Sequence, residues 1–119
     1  MTGVQTCALP ICNYVNAYFS KYDLLLSPTL AVPAFNIGQA PGIIDGIEVP
    51  HKLWGFTPFT YLFNLTGNPA ASVPAGFSKT SMPIGLQIIG DMKDEVSVLA
   101  ASAAFEEARP WSDNRPPVS

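Results

Sequence analysis

The residues that usually carry chemistry are sparse in this chain. It holds a single histidine, His51, and two cysteines, Cys7 and Cys12. A Ser-His-Asp nucleophile needs a histidine base within hydrogen-bond reach of the serine. His51 lies in a polar loop, and no serine sits in a G-x-S-x-G turn, so His51 is read as an exposed loop residue. The cysteines are too far apart for a C-x-x-C redox pair, and with one histidine they give too few ligands for a metal ion. Neither G-x-x-x-x-G-K-[ST] nor G-x-G-x-x-G occurs, so no phosphate cradle and no cofactor is expected. Asn64-Leu65-Thr66 fits the glycosylation triplet, but it falls in a segment read as a buried helix and is treated as chance. These residues offer scaffold and a pocket wall, with no nucleophile beside a base.

Composition explains what kind of scaffold this is. Only 13% of the 119 residues are charged, against 48% hydrophobic, whereas an ordinary soluble domain carries about 25% charged residues. Residues 53–78 and 24–44 contain no charge at all. A spanning helix would need about 20 predominantly apolar residues in an unbroken helix. Pro58, Pro69 and Pro74 interrupt the first run, and Pro28, Pro33 and Pro41 interrupt the second. Both runs are therefore read as interior segments of a protein larger than this chain, with no membrane partner. The net charge is −3 and the six Lys and Arg are scattered, which disfavours nucleic acid as a partner. The N-terminus has no basic region before its apolar residues, which argues against a secretory signal.

The elements that would position a site follow from pattern. NYVNAYFSK (13–21) reads as the last turns of an amphipathic helix, and YDLLLSP as a strand buried on both faces. Residues 29–52 show no sustained period and read as a long irregular excursion able to wall a pocket. TPFTYLFNL (57–65) reads as a helix with Thr57 as cap and Pro58 at its first position, ended by Gly67. AASVPA (70–75) and IGLQII (84–89) read as strands joined by a turn-rich loop. Residues 94–108 form the clearest helix, capped by Asp94 and stopped by Pro110, with Val96, Leu99, Ala100 and Ala103 as its core face. The polar, Pro-rich segment that follows is placed on the surface.

Three blocks occur in order: TPFTYLFNLTGNPAASVPAGF, MPIGLQIIG and DEVSVLAASAAFEEARPW. Together with YDLLLSPTLAVPAF upstream, they resemble the C-terminal part of the amidase signature family. The resemblance implies an α/β fold class, here the C-terminal portion of a mixed β-sheet covered by helices, and incomplete. It implies a parent enzyme that hydrolyses a carboxylic amide to an acid and ammonia or an amine. In this family a serine nucleophile, a second serine in a cis peptide and a lysine do the chemistry. All three belong to the earlier part of the family's sequence, so no catalytic role passes to Ser27, Ser72 or any other serine here. The fragment alone is expected to be inactive. By the same analogy Thr57 and Phe59 are candidate substrate-wall residues. The implied partner is a small-molecule amide, with a cytoplasmic, homodimeric parent.

Two other readings stay open. Glutamine-using subunits of tRNA-dependent amidotransferases resemble the same block but carry an aspartate where Thr57 aligns, suited to a substrate ammonium group. Thr57 cannot supply that charge, which favours a stand-alone amidase. The remaining possibility is a small non-catalytic binding protein built on an amidase-like scaffold. The opening TGVQTCALPI resembles the translation of a common sequencing-adapter DNA. Residues 1–12 are accordingly expected to be an artefactual leader, 13–117 the amidase portion and 118–119 a tail. On that reading Val4, Leu9 and Ile11 should pack against little.

Overall fold

The computed structural model describes the backbone of residues 3–49, 51 and 54–115, with side chains from Leu9 onward. The expected tail, 118–119, lies outside the described residues, as does the side chain of Val4. In chain order the elements are α1 (Gly3–Phe19), β1 (Leu24–Pro28), β2 (Ile43–Ile44), β3 (Ile47–Glu48), α2 (Tyr61–Thr66), β4 (Ala70–Phe77), β5 (Pro83–Gly90) and α3 (Glu95–Ala108).

The α/β class stands, and the part of the sheet contributed by this chain is antiparallel. Its order is β1-β5-β4, with Leu25 and Ala70 both opposite Ile89. β5 is central because its sequence is apolar on both faces. Successive side chains of a strand point to opposite sides, so Ile88 and Ile89 enter different cores. Ile89, with no exposed surface, packs with Phe19 and Phe63, joined by Val15, Tyr18, Leu25 and Leu62. Ile88 packs with Val73 and Val98, joined by Leu24, Ala101, Phe105 and Trp111. The result is three layers: α1 and α2 on one face of the sheet, α3 on the other.

Several expectations are refined. The helix expected to end in 13–21 does end there, at Phe19, but it begins at Gly3 and carries Pro10 inside it, at the cost of that residue's amide hydrogen bond. Leu9 is exposed and Ile11 half-buried, and neither belongs to the two core clusters. β1 is buried less than expected. Leu24 and Leu25 each reach a core, but Leu26 is exposed, because β1 is an edge strand here. The excursion after β1 contains a short hairpin, β2 with β3. Its turn, Asp45-Gly46, has both φ angles positive, the geometry that an Asp-Gly pair between apolar residues favours.

The helix after Pro58 starts later than expected. Residues 57–60 form tight turns, and α2 begins only at Tyr61. Thr57 does not cap it, because its hydroxyl donates to the Trp54 carbonyl at 2.8 Å. Gly67 ends α2 as expected, in the left-handed region with its N–H on the Phe63 carbonyl. Asn64 is exposed, whereas Thr66 is buried.

The largest correction concerns α3. Asp94 caps it as expected, accepting from the Ser97 amide at 3.2 Å, but the face turned to the sheet is the opposite one. Val98, Ala101 and Phe105 pack inward, and Ser102 faces the same way with its hydroxyl donating to the Val98 carbonyl. Val96, Leu99, Ala100 and Ala103 face outward. The helix is apolar nearly all round, so periodicity defines two possible core faces and cannot choose between them.

Replacing Ile89 by Ala should destabilise the chain by about 2–5 kcal/mol, because the cavity opens where the sheet meets Phe19 and Phe63. Val96→Ala, on the outer face, should stay within about 0.5 kcal/mol. Urea unfolding of both variants checks this, and equal losses would contradict the layer assignment.

Candidate pocket wall

The registers of the sheet place Ser27 of β1 and Ser72 of β4 on either side of Gln87 of β5. The three form a polar row across otherwise apolar strands. Gln87 is only 5% exposed, and a buried amide must find partners or lose the hydrogen bonds it made to water. It finds two: its Nε2 donates to Ser27 Oγ at 3.0 Å and to the Phe59 carbonyl at 2.8 Å. The second bond fastens the turn before α2 onto the centre of the sheet.

Beside this row, Thr29 Oγ1 and Ser72 Oγ lie 2.6 Å apart. They meet over Gly85. A Cβ built there would come within 2.6 Å of both oxygens, so only glycine permits the contact. The Thr29 amide also donates to the Gly85 carbonyl. Further along, the Ala31 amide donates to the Phe56 carbonyl, and the Phe35 and Phe56 rings meet edge to face at 5.0 Å. The loop after β1 and the turn before α2 are therefore joined over one end of the sheet.

A groove of about 450 Å³ opens along this loop, lined by Thr29, Leu30, Val32, Ser72, Ile84 and Gly85 among others. A second, of about 740 Å³, lies at the end of the β4–β5 hairpin and includes Phe77, Met82, Arg109, Trp111 and Arg115. Thr57 and Phe59 line neither groove. Both sit in the turn that Gln87 holds, Thr57 half-buried and Phe59 36% exposed. The hydroxyls and the amide can donate and accept hydrogen bonds, and the partners of Ser27 and Ser72 among the described residues are a carbonyl, a hydroxyl and an amide, none of them a base. His51 lies in an exposed loop position. Among the described residues no group of three or more His, Cys, Asp and Glu could hold a metal ion, and no helix is long and apolar enough to cross a membrane.

Sequence reasoning singled out Thr57 and Phe59 and passed over Gln87, Thr29 and Gly85. The signal for Gln87 was present in IGLQII: an amide inside a strand apolar on both faces has to be bonded internally.

The chain as a whole has known relatives. The family model described as Amidase matches residues 8–99, and the chain belongs to the amidase signature family. It is 41% identical over 100 residues to an acylamidase of Rhodococcus erythropolis, covering 83% of this chain and 21% of that protein. It is 40% identical over 106 residues to one subunit of the glutamyl-tRNA(Gln) amidotransferase of Thermodesulfovibrio yellowstonii, covering 89% of this chain and 21% of that protein. Its structure is similar to that of a bacterial aryl acylamidase of the amidase signature enzymes, with a TM-score of 0.82 and 41% identity, covering 94% of this chain and 24% of the other. The chain thus spans about a fifth of the length of the curated relatives it matches.

Gln87→Met should remove both donors and strand the Phe59 carbonyl, at a cost of about 1–3 kcal/mol. Hydrogen exchange should speed up at Thr60 and Phe63, whose amides hold the start of α2. Unchanged exchange there would show that the turn is held by other contacts.

Proposed function

We propose that this chain is the C-terminal part of a longer amidase that hydrolyses a carboxylic amide to an acid and ammonia or an amine. The observation that carries this reading is the close superposition on the aryl acylamidase along almost the whole of this chain, yet only 24% of that one. The catalytic serine, the cis-peptide serine and the lysine belong to the part of the parent not present here. There the serine would attack the amide carbonyl, passing its proton through the bridging serine to a neutral lysine, while backbone N–H groups hold the oxyanion. This chain contributes the sheet edge and part of the pocket wall. Thr57 and Phe59 are the proposed wall residues, supported by the Gln87 bond that fixes their turn to β5. The parent is proposed to be a cytoplasmic homodimer acting on a small-molecule amide, with no nucleic-acid partner.

The amidotransferase reading has nearly equal sequence identity behind it. The stand-alone amidase is preferred because Thr57 is neutral and its hydroxyl is already engaged with the Trp54 carbonyl, leaving no charge for an ammonium group.

The test is the genomic DNA upstream of the Asn13 codon, recovered from an independent clone. It should encode, in frame, a lysine and a Gly/Ser-rich segment with adjacent serines. A natural promoter and stop codon in that position would overturn the proposal.

A further inference from the structure

Helix α3 is apolar on two opposite sides. At 3.6 residues per turn, Val98, Ala101 and Phe105 point into the sheet, while Val96, Leu99, Ala100 and Ala103 form a second stripe on the far side. Val96 is 77% and Leu99 66% exposed, and both alanines are exposed. The charges of α3 are confined to its ends, at Glu95, Glu106 and Glu107. A helix apolar all round is a buried helix, whereas a surface helix keeps one face polar. The stripe therefore has the chemistry of an interior surface, although the three layers described here leave it outermost.

We infer that this stripe is an interface, and that its occupant is the part of the amidase domain absent from this chain, packed over α3 as a fourth layer. A further observation fits that occupant. The relatives are roughly four to five times as long as the segment matched, since this chain covers only 21% of one and 24% of the other, so a large body of chain remains to be placed. The two small residues at the centre of the stripe, Ala100 and Ala103, let a facing element approach closely, since interaxial distance depends on the side chains at the contact.

This inference rests on the amidase reading and can fail separately from it. The full 119-residue chain, carrying Cys7→Ser and Cys12→Ser, is co-expressed with the Rhodococcus erythropolis acylamidase truncated to remove the segment matched here. A Leu99→Cys substitution then reports on the stripe through its rate of maleimide labelling. The chain should be captured by the truncated enzyme, and labelling should slow by at least about tenfold relative to the chain alone. Leu99→Asp should leave the circular dichroism of the chain unchanged but weaken capture by more than about a hundredfold, because it buries an unpaired charge. Capture with Leu99→Cys labelled at its original rate would overturn this interface and leave the amidase reading intact. Protection already present in a dimer of the chain alone would assign the stripe to a second copy and overturn the proposed occupant. Failure of the unsubstituted chain to be captured would count against both readings.

Discussion

The fold depends on β5 being buried on both faces. Ile88 and Ile89 point in opposite directions, so one strand anchors two cores, and each helix is placed by which of them it covers. α1 and α2 close over Ile89, and α3 closes over Ile88. Gln87 belongs to the same constraint. It lies on the side of the sheet that Ile89 faces, where a polar group cannot remain unbonded, and its two hydrogen bonds tie β1 and the turn before α2 to the centre. The position of the proposed pocket wall is thus a consequence of how the central strand satisfies its one polar residue.

The sequence made visible those features whose cause is local. The strands at 70–77 and 83–90 were found to within two residues because their apolar runs lie between turn residues. The Asp94 cap and the Gly67 stop were found because each answers a need of the neighbouring helix end. Features decided by tertiary partners were harder to read. The α2 boundary moved because Thr57 bonds back to Trp54 instead of forward to an amide. The core face of α3 was misread because Val96, Leu99, Ala100 and Ala103 fit helical spacing as well as Val98, Ala101 and Phe105 do, and only the sheet decides between them. The Asp45-Gly46 hairpin was overlooked although its turn signal was present, since the surrounding Pro and Gly masked two very short strands.

The candidate site was less legible than the fold for a related reason. The hydroxyls of Thr29 and Ser72 are 43 positions apart in sequence and meet only because Gly85 leaves room between them. Thr57 and Phe59 were chosen by resemblance, and the geometry adds the Gln87 bond that holds their turn. The proposed pocket wall is built from hydroxyls, one amide and apolar side chains, none of which announces itself in sequence as a site residue.

The central claim is that this chain is an interior portion of a larger domain, so its apolar stripe on α3 and its open sheet edges meet water only when it stands alone. Binding of the dye ANS to the purified 119-residue chain tests this most directly. The account predicts strong fluorescence enhancement under native conditions. A soluble monomer that gives no enhancement would contradict it.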